Sequence, residues 1–242
     1  MLEAPANWAP VDPLDVVLAD RRTRRGRPWV MLNMVSSIDG AAAVGERSAG
    51  LGDDDDHVML RAIRAVPDVI VVGAATVAAE DYRPVSLDDE RRERRVALGK
   101  APAPTLAIVS GSLSVDPAAR VFSDPEHKPL IITGAGADAS KLAMLGDSAD
   151  LAFLDDLGPR AILGHLGAAS VALLEGGPGL NGQFADAGLL DEINLTVASK
   201  VVAGEAGRIV SGPALAPPPG FVPDRVLRGD RDLFVRYLRA GP

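Results

Sequence analysis

Cysteine is absent from this chain of 242 residues. Its absence excludes a disulfide framework, a thiolate nucleophile and a cysteine zinc site, and it fits a reducing, cytoplasmic setting. Histidine is scarce too: His57, His127 and His165 are the only three. A Ser-His-Asp triad would have to draw on one of them, yet no Gly-x-Ser-x-Gly elbow is present. No apolar run is long enough to span a bilayer, so no membrane partner is expected. The opening residues, Met1 to Asp12, carry Pro5, Pro10 and early acids and do not resemble a signal peptide. Positive charge is in deficit, with a net charge of -8. The one basic cluster, Arg21-Arg22-Thr23-Arg24-Arg25, stands beside Gly26 and Pro28 and reads as a solvated linker. The overall acidity argues against nucleic acid as a partner.

What the chain does have is apolar content, 47% of it, enough for one good core. Residues 1–27 read as a polar, proline-bearing lead-in, with a short amphipathic turn around Leu14 to Leu18 that packs on the body. Residues 28–242 read as a single domain. Short β-branched runs at 29–35, 68–72, 105–109, 130–132, 151–154 and 171–174 alternate with helical patterns. One helix starts at Asp53 and runs to about Val66, where Pro67 stops it; Met59, Ile63 and Val66 share a face. Asp88 to Lys100 reads as an exposed helix or a mobile loop. After Leu190 the pattern changes to strand after strand, at 193–198, 222–227 and 233–238. The expected fold is α/β, with a mostly parallel central sheet finished by antiparallel C-terminal strands.

The strongest local signal is the run Glu175-Gly176-Gly177-Pro178-Gly179-Leu180-Asn181-Gly182, directly after the apolar Val171 to Leu174. It reads as a buried strand opening into a glycine turn, followed by a helix from Asn181 to Ala187. Glycine lets backbone approach a ligand closely, and a helix start offers free N–H groups and partial positive charge to a pyrophosphate. An ordinary strand-to-helix turn also favours glycine. A second turn, Gly73-Ala74-Ala75-Thr76, follows the strand at 68–72. There Thr76 either caps the next helix or closes on a phosphate or ribose. Two such turns at strand ends point to a nucleotide crevice.

Several charges stand out. Asp53 to Asp55 complement a helix macrodipole. A metal site is weighed because Asp53 and His57 are i, i+4 neighbours, but no second ligand cluster accompanies them, so no metal is expected. Asp56 is the acid chosen to face the crevice. Asp39 reads as a turn residue bonding its own backbone. Arg64 is either a solvated arginine or an anion clamp. Glu175 ends a buried strand, where a carboxylate needs a partner; substrate donors or glycine-loop N–H groups would serve.

Taken in order, these segments resemble a known family. Arg27-Pro28 before the first strand, Ser36-Ser37-Ile38-Asp39-Gly40, Leu60 to Ala65, Gly73-Ala74-Ala75-Thr76-Val77, Glu175-Gly176-Gly177-Pro178 and Leu190-Asp191-Glu192 are similar to the riboflavin-biosynthesis reductase domain, the C-terminal half of bacterial RibD. The resemblance spans roughly residues 27–205. It implies a dihydrofolate-reductase-like three-layer fold, NADPH as cofactor and a homodimer, with the late strands around Ile193 to Ala198 as the apolar dimer surface. The implied reaction reduces the ribosyl group of 5-amino-6-(5-phosphoribosylamino)uracil to ribityl. It further implies that Val35 and Ser36 lie under the nicotinamide and that Gly73, Thr76 and Glu80 contact the cofactor. Ser110 would sit near the adenosine 2′-phosphate, and Gly176, Gly177, Pro178, Gly179, Leu180, Asn181 and Gly182 would hold the pyrophosphate. Ser48, Arg64 and Glu175 would face the substrate. Family members carry an Asp-x-Pro-x-Leu-x-x-Arg run after the second turn, and here it reads Glu80-Asp81-Tyr82-Arg83-Pro84-Val85. Two other readings stand beside this one. A dihydrofolate or pterin reductase on the same fold would use Asp56 against a protonated ring, and a regulatory protein would bind NADPH without turnover.

Overall fold

Trp29–Ser37 (β1), Val69–Gly73 (β2), Thr105–Val109 (β3), Leu130–Gly134 (β4), Asp150–Leu154 (β5), Val171–Leu174 (β6), Glu192–Ala198 (β7), Phe221–Arg228 (β8) and Leu233–Arg239 (β9) form one sheet. Its order is β5-β4-β3-β2-β6-β1-β7-β9-β8 in this computed structural model, which describes residues 9–24, 26–45 and 47–241. From β5 to β7 every neighbour is parallel; β9 runs antiparallel to both β7 and β8. The expected mixture of a parallel body and an antiparallel end is therefore present. The segment 193–198 belongs to the parallel part, with Ile193 opposite Leu32 and Thr196 opposite Val35. A helix between β6 and β7 returns the chain to the same sheet edge, and such a crossover makes parallel pairing possible.

The helices are Pro13–Ala19 (α1), Asp54–Arg64 (α2), Ala74–Ala79 (α3), Asp89–Ala97 (α4), Ala139–Leu145 (α5), Pro159–His165 (α6) and Pro178–Asp186 (α7). Leu14 and Val17 of α1 and Met59, Ala62 and Ile63 of α2 pack on one face of the sheet, over Met31, Ile70 and Leu173. Ile162 and Leu163 of α6 and Leu180, Phe184 and Ala185 of α7 cover the other, over Val30, Val71 and Leu174. Burying each such side chain contributes roughly 1.5–3 kcal/mol. The start of α2 is explained by its acids: Asp53 caps it, its carboxylate accepting the Asp56 N–H at 3.1 Å. Segment 88–100 contains helix α4, and its Arg95 is fully buried rather than exposed. That guanidinium donates to the carbonyls of Ala65, Pro67 and Ala101, satisfying the end of α2.

The lead-in is tied to the body. Within the basic cluster read as a solvated linker, the side chain of Arg22 is covered, only 4% exposed. It grips Glu192 with two bonds, at 2.8 and 2.7 Å. Arg236 of β9 meets Glu192 from the other side, and Asp20 joins Arg22, Arg225 and Arg236. Spacing along the chain hides this cluster, because its partners lie 170 residues apart. Arg25, the last residue of the basic run, lies outside the described residues, as do residues 1–8, on which most of the signal-peptide reading rests.

Strand β7 inverts the usual polarity. Glu192, Asn194, Thr196 and Ala198 are buried, while Ile193, Leu195 and Val197 are only partly covered. Burial raises the pKa of the Glu192 carboxyl, but hydrogen bonds and charge from Arg22 and Arg236 outweigh it and bring it down to about 2. A carboxylate with a lowered folded pKa stabilises fully above its unfolded pKa and loses that contribution as pH falls through the folded value. The network should therefore stabilise the fold at neutral pH and fail between about pH 4.5 and 2. Urea denaturation should show Glu192→Gln less stable by about 3 kcal/mol at pH 7, with the gap closing toward pH 2. A gap that does not change with pH would reject this linkage.

Candidate active site

Parallel strands end together, so the turns after β1, β2, β3 and β6 open on one edge of the sheet. A cleft of about 810 Å³ lies there. Met34 and Val35 line it from β1, Gly73 to Thr76 from the β2 turn, Val109 to Gly111 from β3 and Glu175 to Leu180 from β6. Two hydrogen bonds lock the β2 and β6 turns to each other. Gly73 N–H donates to the Gly176 carbonyl at 3.1 Å, and Gly177 N–H donates to Thr76 Oγ1 at 2.8 Å. Thr76 is therefore not the cap of its own helix: it lies inside α3, and Gly73 occupies the cap position. Gly176 has φ +111, a conformation that a side chain would strain.

Helix α7 begins at Pro178, three residues before the expected start at Asn181. Its first bond runs from Asn181 N–H to the Gly177 carbonyl at 3.0 Å. The N–H groups of Gly179 and Leu180 are consequently left without intrahelical acceptors, beside the cleft. A phosphate-bearing cofactor would find its donors there, at the positive end of the helix.

The remaining sequence-derived residues divide. Val35, Ser48, Asp56, Arg64, Gly73, Thr76, Glu80, Ser110, Glu175, Gly176, Gly177, Pro178, Gly179 and Leu180 all line the cleft. Ser36, Asn181 and Gly182 do not. Ser36 is the strand neighbour of Val35, so its side chain points to the opposite sheet face. Asn181 and Gly182 serve another segment: Asn181 Nδ2 donates to the Ile209 carbonyl at 2.8 Å, and Ser211 N–H donates to the Pro178 carbonyl at 2.9 Å. The literal Gly-x-Gly-x-x-Gly spacing thus combines a turn residue, Gly177, with two residues inside α7.

The segment held by Asn181 forms a wall of the cleft at Gly207, whose carbonyl accepts the Ala42 N–H at 2.8 Å. Asp39 anchors the same segment further back. It accepts from Ser37 Oγ, and from the N–H groups of Val202 at 3.1 Å and Ala203 at 2.7 Å. These bonds, the Ser37 hydroxyl first, lower its pKa to about 2. Asp39 therefore bonds a distant loop as well as its own turn.

Arg64 is paired rather than simply solvated, although its side chain remains 25% exposed. Its Nε and Nη2 bind both oxygens of Glu175, at 2.8 and 2.6 Å, and Tyr82 Oη donates to Glu175 Oε2 at 2.9 Å. The guanidinium lies 5.6 Å from the Tyr82 ring centre. Burial opposes the Arg64 charge, but Glu175 beside it more than compensates and raises its pKa. Burial and the Glu175 charge raise the Tyr82 pKa, so its hydroxyl remains a donor. Glu175 is satisfied by these two side chains rather than by glycine-loop N–H groups. Sequence reasoning missed Tyr82, although it is one of only two tyrosines in the chain.

Asp56 lines the cleft from the first turn of α2, and its Oδ1 accepts the Thr196 hydroxyl at 2.7 Å. Burial raises its pKa, with the Thr196 bond opposing in part. Asp55 instead accepts the Asp230 N–H at 2.7 Å and holds the turn between β8 and β9. Glu80 accepts the Ser48 N–H at 2.7 Å, and Ser110 Oγ accepts the Ser114 N–H at 3.0 Å. Among the described residues no three metal-ligating side chains come together.

The family model described as the RibD C-terminal domain matches residues 28–222. A 2,5-diamino-6-ribosylamino-4(3H)-pyrimidinone 5′-phosphate reductase from Archaeoglobus fulgidus is 29% identical over 174 residues, covering 70% of this chain and 79% of that protein. The riboflavin biosynthesis protein RibD of Mycobacterium tuberculosis is 30% identical over 185 residues, covering 76% of this chain but only 45% of that longer protein. In structure, the chain is similar to a pyrimidine reductase-like protein from Corynebacterium diphtheriae, with a TM-score of 0.79 and 26% identity over 89% of this chain and 93% of that one.

The seat of the 207–211 wall on α7 depends on a missing side chain. A Cβ at Gly182 would lie 1.9 Å from the Ser211 carbonyl oxygen. Gly182→Ala should therefore push the wall off the helix and cost about 1–3 kcal/mol by overpacking. Thermal denaturation should show a lower midpoint; an unchanged midpoint would mean that the wall is not seated there.

Proposed function

This chain belongs to the RibD C-terminal domain family, and on that footing we propose that it is an NADPH-dependent reductase of the riboflavin pathway. It would reduce the ribosyl group of 5-amino-6-(5-phosphoribosylamino)uracil to ribityl. The observation that carries this reading is the pair of strand-end turns, locked by Thr76 and Gly177, at the foot of a cleft large enough for cofactor and substrate together. Proteins similar to this chain are named as reductases of a ribosylamino-pyrimidinone phosphate, which supports the same chemistry.

The residues present fit a dinucleotide. The N–H groups of Gly179 and Leu180 would bind the pyrophosphate, and the turn Gly176, Gly177 and Pro178 would let it approach the backbone. Gly73, Thr76 and Glu80 would flank it. Ser110 would meet the ribose phosphate end, and the backbone at Val35 would lie under the nicotinamide. When bound, NADPH supplies the hydride. The protein supplies orientation: Ser48 and Arg64 present donors to the substrate, and Glu175 holds Arg64 in place. Asp56 retains a proton to higher pH than a solvated aspartate, so it can hold one against an amino or ring nitrogen.

Asp56 also favours a second reading. A carboxyl group on the cleft wall, raised in pKa by burial, suits reduction of dihydrofolate or another pterin, whose ring must be protonated. NADPH oxidation with the phosphoribosylamino-uracil and with dihydrofolate, side by side, separates the two. Asp56→Asn should lose about ten- to a hundredfold in kcat/KM, roughly 1.5–3 kcal/mol, with NADPH affinity unchanged. With a pterin the loss should be greater at neutral than at acid pH, where solvent supplies the proton. A small, uniform loss would reduce Asp56 to a helix-start acid. NADPH binding without turnover of either substrate would indicate a regulatory protein.

A homodimer belongs to the same proposal. The apolar side of β7, with Leu195 and Val197, continues into Val226 and Leu233, which are 42% and 38% exposed. Such a face suits a second copy of the chain. Sedimentation at micromolar concentration should show twice the 25.1 kDa chain mass; a clean monomer would remove this part of the proposal.

A further inference from the structure

Tyr82 stands on a short segment whose own course is fixed. After α3 the backbone turns through Asp81 at φ +52, a left-handed conformation that a residue with a side chain keeps only where its surroundings hold it. They do so here: Arg120 pairs with the Asp81 carboxylate, and Tyr82 N–H donates to the Val77 carbonyl at 3.1 Å. Just beyond, Val85 and Leu87 are buried. The phenol is thereby set against two residues from other elements, Arg64 of α2 and Glu175 at the end of β6, and all three line the cleft.

We propose that Tyr82 is a positioning residue of the reductase site: by touching both members of the Arg64–Glu175 pair, it fixes the direction in which Arg64 meets the pyrimidine substrate. The inference rests on the reading of the cleft as a reductase site, and it adds a residue to that site.

A covered phenol ordinarily needs no more than one acceptor for its hydroxyl. The arrangement here does more. Glu175 Oε2 accepts from both Tyr82 Oη and Arg64 Nη2, at 2.9 and 2.6 Å, while Oε1 accepts from Arg64 Nε at 2.8 Å. Three donors hold one carboxylate, and its plane is no longer free to turn. A guanidinium bound through two parallel N–H bonds shares the plane of its carboxylate, so the plane of Arg64 is set as well. The Arg64 guanidinium also lies over the Tyr82 ring, 5.6 Å from its centre. Exposure orders the layers: the Glu175 side chain is 3% exposed and that of Arg64 is 25% exposed. Arg64 is therefore the member of the pair that a ligand reaches. With Nε and Nη2 taken, the donors left to that ligand are chiefly on Nη1. Burial and the Glu175 charge keep the Tyr82 hydroxyl protonated, so the bond runs from phenol to carboxylate. Without the hydroxyl the carboxylate is free to rotate, and Arg64 swings with it.

Tyr82→Phe removes the hydroxyl and keeps the ring. With the phosphoribosylamino-uracil and NADPH it should lower kcat/KM by about tenfold, chiefly by raising KM for the pyrimidine, while KM for NADPH stays within about twofold. In an Arg64→Ala background the same substitution should cost less than about twofold, because the hydroxyl acts on the substrate through that arginine. Arg64 also reports without turnover. Its Nε–H resonance, identified by its loss in Arg64→Ala, should exchange with solvent at least about fivefold faster in Tyr82→Phe than in the wild type. Unchanged kinetics in Tyr82→Phe, an equal loss in the Arg64→Ala background, or unchanged exchange at Arg64 Nε overturns the proposal. A lower melting midpoint with neither kinetics nor exchange altered would make Tyr82 a packing residue only. If the wild-type protein reduces no pyrimidine, the reductase reading fails, and the exchange measurement still decides whether Tyr82 fixes Arg64.

Discussion

The hydrogen bond from Gly177 N–H to Thr76 Oγ1 is the contact on which the rest of the site depends. It joins two turns that lie about a hundred residues apart in the chain but end adjacent strands, β2 and β6. With the Gly73 N–H bond to the Gly176 carbonyl, it fixes where α3 and α7 begin relative to each other. That relation sets the mouth of the cleft and the direction in which the Gly179 and Leu180 N–H groups face. Parallel pairing supplies the edge, and the two bonds between the turns make it a defined concavity.

A second constraint lies in β7. Its buried side is polar and its apolar side is only partly covered, the reverse of a simple half-buried strand. Each buried polar group has its own partner. Glu192 is surrounded by Arg22, Arg236 and the Trp29 indole N–H; Asn194 donates to Glu192; Thr196 donates to Asp56. The strand thus links the charge cluster that fastens the lead-in to the carboxyl group on the cleft wall. Satisfied polar groups of this kind specify one arrangement, because any slip in register would leave a charge buried and unpaired.

The cluster of Arg64, Glu175 and Tyr82 shows how particular side chains complete a shared family framework. Membership follows from a match over residues 28–222, and it brings the fold and the strand-end turns with it. What sits on the wall between those turns is decided by a few side chains. Here a carboxylate and a phenol occupy the arginine's hydrogen-bonding edge, so the charge balance of the cleft cannot be read from the fold alone.

Much of this was legible in the chain itself. The β-branched runs, the acids before Met59, Pro67 and the glycine turn after Leu174 established the strand and helix order, because these signals act over a few residues. Fourteen residues expected at the site do line the cleft, since strand ends and turns place their own backbone. Ser36, Asn181 and Gly182 lie outside the lining for two reasons: strand alternation turns the Ser36 side chain to the opposite sheet face, and α7, starting early at Pro178, turns Asn181 and Gly182 toward the wall loop. Tyr82, Thr196 and Arg22 carried no local signal at all. Their roles come from partners 93, 140 and 170 residues away. Local propensity and hydrophobic period determined the elements and their order; only packing in three dimensions could decide which buried charge would meet which, because a long-range pair costs its desolvation wherever it forms and is stable only where the completed fold supplies the partner.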